Sequence, residues 1–157
     1  TGVLFAGLMV KNGEPKLIEY NIRFGDPETQ AMMMLLKSDF VQIAIDCVTG
    51  NIKNQNIEWY DEKALTIVLA NKGYPKDYNC DALITGIKDA ESNKNIKVFH
   101  AGTSEIDGNL IATGGRVLNV TSRAKTISEA QKAAYAALNI INFKDMIYRK
   151  DIAWRAL

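Results

Sequence analysis

The sequence has few of the residues that build crosslinked, metal-clustered or membrane-spanning proteins. Its 157 residues include only two cysteines, three prolines and one histidine. Cys47 and Cys80 stand in unrelated surroundings without a metal-ligand spacing, which indicates free thiols rather than a disulfide or a zinc site. No apolar run approaches the ~20 residues that a transmembrane helix needs. These absences favour a soluble, cytoplasmic protein.

The sequence also lacks an excess of charge of either sign. The 19 Lys and Arg residues balance 18 Asp and Glu residues, giving a formal net charge of +1. No whole-chain field therefore steers the protein toward nucleic acid or a membrane, and we expect neither as a partner. Any anion site must be local.

The hydrophobic content of 47% is enough for the core of one domain or of two small units. The chain opens directly with an apolar strand, without an initiator Met, and we take this to indicate part of a longer polypeptide. The change of pattern near residue 60 predicts two regions, residues 1–60 and residues 61–157.

The first region predicts a β-hairpin. Residues 3–10 are apolar and are expected to form a strand that is buried on both faces. Asn12-Gly13 is the signal for a tight hairpin turn, and alternation of polar and apolar residues predicts a second strand over 17–24.

Two helices are predicted after the hairpin. Asp26 is expected to cap a helix that runs to Leu36, with a proline at its first position. Ser38 is expected to cap a second helix over 39–49, and Gly50 supplies its stop signal.

The second region is dominated by short strand patterns. They lie at 64–70, 82–87, 96–101, 110–113 and 116–121. Thr126 and Glu129 then fit a capping box at the start of a helix whose small alanines recur at three-four spacing. We expect an α+β fold, with a small antiparallel sheet covered on one face by this helix.

A row of polar side chains is the strongest chemical signal. Glu19, Asn21 and Arg23 alternate along the second predicted strand and should share one face. Carboxylate and amide oxygens suit Mg²⁺, and a guanidinium suits a phosphate or carboxylate. On spacing alone, an ordinary hairpin with a polar outer face is the favoured alternative.

The whole string from Glu19 to Gln30 changes that balance. It reads Glu-x-Asn-x-Arg-Phe-Gly-Asp-Pro-Glu-x-Gln and resembles the signature of glycinamide ribonucleotide synthetases, in the ATP-grasp superfamily. The resemblance continues in order through residues 2–9, 73–75, 99–103, 114–118 and 148–152. It covers essentially the entire chain.

The resemblance implies an ATP-dependent ligase of de novo purine synthesis. Such enzymes join glycine to 5-phosphoribosylamine through a glycyl phosphate intermediate, with ADP and phosphate as by-products. By the same resemblance, Glu19 and Asn21 would bind Mg²⁺ or Mn²⁺, and Arg23 would steady the phosphate or acyl phosphate as a catalytic residue.

Two further positions carry weaker expectations. Gly114, Gly115 and Arg116 would present backbone amides and a guanidinium to the ribose phosphate, or they form a tight turn followed by an exposed arginine. His100 continues the strand face of Ile96 and Val98, so a buried, hydrogen-bonded role is favoured over acid-base catalysis.

The family also has a preceding substrate-binding domain and a larger ATP-grasp unit. On this resemblance, residues 1–60 are the end of the ATP-grasp domain and residues 61–157 are the carboxyl-terminal domain. The amino-terminal part of the same enzyme is then a required partner, and the chain alone should be inactive.

Two rival functions stay open. The first is a non-catalytic interaction module, and the presence of Glu19, Asn21 and Arg23 together argues against it. A sister ATP-grasp ligase that acts on carbamate or formate conflicts with the Arg-Phe-Gly-Asp-Pro-Glu string.

Overall fold

The computed structural model describes all 157 residues as a mixed helix and antiparallel-sheet protein, which confirms the α+β prediction. The elements in chain order are β1 (Phe5–Lys11), β2 (Glu14–Asn21), α1 (Glu28–Leu35), α2 (Phe40–Thr49), β3 (Lys63–Asn71), β4 (Ala82–Leu83), α3 (Ile87–Ala90), β5 (Ile96–His100), β6 (Thr103–Ile106), β7 (Asn109–Ala112), β8 (Arg116–Ala124), α4 (Ile127–Leu138) and β9 (Met146–Ile147). Short 3₁₀ helices lie at Ile52–Asn54 and Trp154–Ala156.

The chain forms two compact units. Unit 1 comprises Thr1–Thr29 and Leu36–Tyr60, and unit 2 comprises Gln30–Leu35 and Asp61–Leu157. Both cysteines are free, as expected. None of the helices combines the length and the apolar character needed to span a bilayer.

Unit 1 contains the predicted hairpin. Asn12 and Gly13, with φ of 53° and 81°, make the tight turn that joins β1 to β2. The prediction that the first strand is buried on both faces is wrong, since Leu8, Met9 and Val10 are exposed. The sheet has only two strands, and no third strand pairs with either of them.

The strand and helix boundaries in unit 1 differ from the predicted ones. β2 ends at Asn21, three residues before the predicted end at Phe24. α1 begins at Glu28, one residue after the predicted first helical position at Pro27. The amide of Thr29 donates to the carbonyl of Gly25 at 3.2 Å, which closes the turn that leads into the helix.

The second helix is capped one residue later than expected. Asp39, not Ser38, is the N-cap of α2, and its carboxylate accepts a hydrogen bond from the Gln42 amide at 3.0 Å. The Ser38 hydroxyl instead accepts from the Glu58 amide at 2.8 Å. Gly50, with φ of 79°, ends the helix as predicted.

Unit 2 is built on two antiparallel sheets rather than one. The four-stranded sheet has the order β5-β8-β3-β9, and the three-stranded sheet has the order β4-β7-β6. α4 packs against β8, β3 and β5, as predicted. Its capping box is present, with Thr126 and Glu129 each accepting the other's backbone amide.

The hydrophobic core lies entirely within unit 2. Its buried members come mainly from β3, β8 and α4: Leu65, Ile67, Leu69, Val117, Leu118, Val120, Ala130, Ala134 and Leu138. The hydroxyl of Ser122 is also buried and donates to the Ala130 carbonyl at 2.6 Å, tying β8 to the helix. The alanine spacing of α4 permits this close approach.

Several short elements of unit 2 were predicted wrongly or missed. The strand expected over 82–87 is limited to Ala82–Leu83, because Gly86 adopts φ of 86° and caps α3. β6 and β9 were not predicted. β6 is mostly exposed and β9 has two residues, so neither gives a clear hydrophobic alternation.

Candidate functional site

Two residues of the predicted polar row lie at the end of β2. Glu19 pairs with Gly7 of β1, and Asn21 pairs with Phe5. A Cβ atom built on Gly7 would lie 3.1 Å from Cγ of Glu19, so the glutamate stem crosses the glycine. With one residue between them on the strand, Glu19 and Asn21 point to the same face, with Cα atoms about 6.5–7 Å apart.

Asn21 carries an unsatisfied polar group. Its Nδ2 atom is buried and has no hydrogen-bond partner in the structure. A buried amide without a partner is costly. Rotation of the amide would place Oδ1 at the same position, where an oxygen could bind a cation.

Arg23 does not share the strand face of the other two residues. It lies in a bend after β2, where its Nη1 atom donates to the Phe24 carbonyl at 2.8 Å. Strict alternation placed it in the row, but the alternation ends with the strand at Asn21. The remainder of its guanidinium is exposed.

The carboxylate and amide oxygens of Glu19 and Asn21 fit a hard divalent cation whose other ligands come from water and a substrate. The structure contains no group of three His, Cys, Asp or Glu side chains that could hold a metal by themselves. Mg²⁺ commonly uses only one or two protein oxygens, with waters and phosphate oxygens as the other ligands. Glu19 and Asn21 match that pattern.

A second group of candidate residues meets at one edge of the four-stranded sheet in unit 2. The end of β3, the loop after β5 and the start of β8 converge there. The Gly114 amide donates to the Gly102 carbonyl at 3.1 Å, and the Gly102 amide donates to the Arg116 carbonyl at 2.9 Å. The fold therefore joins motifs that are far apart in the sequence.

The Gly114-Gly115 segment is held tightly. A Cβ atom on Gly115 would lie 2.2 Å from Cδ2 of Tyr74, and one on Gly114 would lie 2.8 Å from the Cα of Gly102. Contact with backbone and an aromatic ring requires glycine at both positions. Arg116 follows directly, is half-buried, and begins β8 opposite Ala70.

The comparisons with known proteins cover the segments that contain both groups. Residues 64–155 match the family model described as phosphoribosylglycinamide synthetase, C domain, and residues 1–29 match the model for the ATP-grasp (A) domain of the same synthetase. The chain belongs to the phosphoribosylglycinamide synthetase family. The resemblance seen in the motif string is thereby confirmed.

Named relatives agree with this membership. The chain is 50% identical over 157 residues to the phosphoribosylamine–glycine ligase of Rhizobium meliloti, covering 100% of this chain and 37% of the relative. It is 46% identical over 159 residues to the ligase of Escherichia coli O157:H7, with coverages of 100% and 37%. The chain thus spans about 37% of the length of the curated relatives.

Solved structures support the fold of this family member. The crystal structure of the Thermotoga maritima phosphoribosylamine–glycine ligase matches with a TM-score of 0.75 and 32% identity, covering 94% of this chain and 36% of that one. The biotin carboxylase subunit of pyruvate carboxylase matches with a TM-score of 0.62 and 16% identity, covering 92% and 34%. This second match shows a shared fold alone.

The environment of His100 differs from the prediction. His100 is exposed at the end of β5, beyond the buried Ile96 and Val98, so the expected burial is wrong. The expected hydrogen bond is present, since Nδ1 lies 3.0 Å from the Thr103 hydroxyl.

Asn71 was missed by the sequence reasoning. It is only 2% exposed at the end of β3, and its Nδ2 atom donates to the Gly114 carbonyl at 2.8 Å. The one available signal was a polar residue between the apolar run 64–70 and the Gly73-Tyr74-Pro75 motif. Its partner lies 43 residues away, which no local pattern indicates.

Proposed function

We propose that the chain forms part of a phosphoribosylamine–glycine ligase. The enzyme would use ATP to activate glycine as glycyl phosphate and then join it to 5-phosphoribosylamine, giving glycinamide ribonucleotide, ADP and phosphate in purine biosynthesis. The supporting observation is membership of the family through two of its domain models, with the ATP-grasp match at residues 1–29 and the C-domain match at residues 64–155.

Two further points belong to this proposal. The ATP-grasp and C-domain matches end at residue 29 and begin at residue 64, which supports a domain boundary near residue 60. The free thiols of Cys47 and Cys80 support a reducing compartment, the cytoplasm.

Glu19 and Asn21 would hold Mg²⁺ or Mn²⁺ through a carboxylate and an amide oxygen. A divalent ion bound there would neutralise charge on the ATP phosphates during transfer. The two side chains would fix the position of the ion relative to β2, and Glu19 supplies the negative charge of the pair. A bound cation would also satisfy the buried amide of Asn21 after rotation.

Arg23 would bind the phosphate or acyl phosphate. Its planar guanidinium offers several N–H donors, of which Nη1 already contacts the Phe24 carbonyl. The other donors of this guanidinium would bind the anion, and the bend after β2 would set the direction of the side chain.

The ribose phosphate would be bound in unit 2. The Gly114 amide already donates to Gly102, which makes the Arg116 guanidinium, rather than this amide, the principal donor. Gly114 and Gly115 would contribute by allowing the segment to pass close to Gly102 and Tyr74.

The test uses a hybrid ligase, in which this chain replaces the matching 157 residues of the Rhizobium meliloti ligase. We expect the hybrid to form glycinamide ribonucleotide from glycine, ATP and 5-phosphoribosylamine, and the chain alone to form none. An active isolated chain would contradict the requirement for the amino-terminal part. An inactive but folded hybrid would contradict the proposed activity.

Glu19→Gln tests the metal site in the hybrid ligase. We expect Mg²⁺-dependent turnover to fall on the order of 100-fold, because the substitution removes a charged ligand. Glu14→Gln, at the exposed start of the same strand, is the matched control and should leave turnover unchanged. Unchanged turnover in Glu19→Gln would remove Glu19 from the ligand set.

A further inference from the structure

We propose that Asn71 is a positioning residue for substrate binding, acting through the segment that carries Arg116. This inference rests on the proposed function, in which Arg116 binds the phosphate of 5-phosphoribosylamine. Asn71 itself is only 2% exposed, so it would act through its contacts with that segment and not by touching substrate.

Three hydrogen bonds from one residue support this role. The Asn71 side chain donates to the Gly114 carbonyl at 2.8 Å, and its backbone amide donates to the Gly115 carbonyl at 2.8 Å. Its own carbonyl accepts from the Tyr74 amide at 3.1 Å. Asn71 therefore fixes two successive peptide units and also the turn that holds the neighbouring aromatic ring.

The same segment is fixed from the other side by Gly102. The Gly102 carbonyl accepts from the amides of Thr113 and Gly114 at 2.8 and 3.1 Å, and its amide donates to the Arg116 carbonyl at 2.9 Å. Residues 113–116 thus lie between two sets of backbone contacts. The direction in which Arg116 leaves the backbone is set by both.

The side-chain bond of Asn71 is a specific part of this arrangement. Many residues could supply the two backbone hydrogen bonds, but only a side chain with an N–H donor of suitable length can satisfy the Gly114 carbonyl. This hydrogen bond is partly buried, so the carbonyl would be destabilised by loss of its donor, and the segment would then shift to find another. Such a shift would displace Arg116 without altering its charge.

Asn71→Ala and Asn71→Asp in the hybrid ligase test the inference. Asn71→Asp keeps the shape of the side chain but lacks the N–H donor, and it places a carboxylate against the Gly114 carbonyl. Asn71→Ala removes the donor without adding a charge, and it serves as the test if Asn71→Asp does not fold. We expect the KM for 5-phosphoribosylamine to rise about tenfold, with kcat and the KM values for glycine and ATP within twofold. A general structural defect would change all of these values.

Thr66→Val is the matched control. It removes a 2.8 Å hydrogen bond to Thr121 of β8, at a position on β3 five residues before Asn71. We expect an unchanged KM for 5-phosphoribosylamine. An equal rise in this variant and in Asn71→Ala, or no rise in either, would overturn the positioning role.

Arg116→Ala separates this inference from the proposed function. A large rise in the KM for 5-phosphoribosylamine in Arg116→Ala, without one in Asn71→Ala, would overturn the role of Asn71 alone. An unchanged KM in Arg116→Ala would overturn the assignment of Arg116 and the inference together. A rise in both variants, with the control unchanged, supports the inference.

Discussion

The two units of the chain differ in where their hydrophobic core and their candidate metal ligands lie. Every buried hydrophobic side chain lies in unit 2, between Leu65 and Phe143, whereas unit 1 buries none of its hydrophobic side chains. Unit 1 nevertheless carries Glu19, Asn21 and Arg23. The candidate metal site therefore lies on the part of the chain that has the least core of its own.

This difference affects what each unit can do alone. Unit 2 has two sheets, a covering helix and a continuous core, so it contains the elements of an independent domain. Unit 1 has a two-stranded hairpin, and isolated hairpins are marginally stable in water. The hairpin that carries Glu19 and Asn21 therefore has little stability of its own.

The largest expected effect compares Leu69→Ala in unit 2 with Ile18→Ala in unit 1. Leu69 is fully buried and Ile18 is 64% exposed. We expect Leu69→Ala to lower the free energy of unfolding by about 2–5 kcal/mol and Ile18→Ala to change it by less than about 0.5 kcal/mol. Urea denaturation of each variant measures both. Similar losses in the two variants would show that β2 is as well packed as β3.

A smaller effect on stability is expected from removing the helix caps of α4 and α2. Thr126→Ala removes half of the capping box of α4 and should cost about 1 kcal/mol of unfolding free energy. Asp39→Ala removes the cap of α2 and should chiefly increase amide hydrogen exchange in the first turn of that helix. A larger change in global unfolding for Asp39→Ala than for Thr126→Ala would reverse the proposed order of stability.

The smallest effect on stability is expected from removing the charge of a glutamate in one of two glutamate–lysine ion pairs. Burial raises the pKa of Glu91 in unit 2, but hydrogen bonds from Lys97 and the Val98 amide outweigh it and lower that pKa overall. In unit 1 the pKa of Glu58 is lowered by its hydrogen bond with Lys37, on an exposed surface.

A lowered folded-state pKa stabilises the protein above the ordinary glutamate value of 4.5, and this stabilisation is lost as the pH falls through the folded-state pKa. At pH 7, Glu91→Gln should therefore cost at most about 1 kcal/mol, since the pair is partly exposed to solvent. The cost should disappear in acid. Glu58→Gln should leave global unfolding unchanged. Thermal melts of both variants from neutral to acidic pH compare the two pairs. A cost for Glu91→Gln that is independent of pH would contradict the role of its charge.

Local sequence signals predicted local structure well. Asn12-Gly13, Gly50 and the pair Thr126 and Glu129 each specify a backbone geometry through their own chemistry, and each forms as expected. The alternation that placed Glu19 and Asn21 on one face also needs only the strand period. These features depend on neighbours within four residues.

Features that depend on distant neighbours could not be predicted. The apolar pattern of β1 indicates a strand suited to burial, but β1 pairs only with β2 and most of its residues are exposed. Arg23 was misplaced because nothing local marks the end of the strand at Asn21. Asn71 acquires its role only when β3 and β8 pair.

The close approach of Gly102 and Gly114 has a consequence for how the sequence can vary. A Cβ atom built on Gly102 would lie 2.5 Å from Cα of Gly114, and the reverse distance is 2.8 Å. Neither position can accept alanine unless the other backbone moves, and both backbones are tied to Arg116 or to Asn71 by hydrogen bonds. In a random mutagenesis library of the hybrid ligase, selected for the activity proposed above, substitutions at Gly102 and Gly114 should both be depleted. A substitution at one of these glycines should not rescue a substitution at the other.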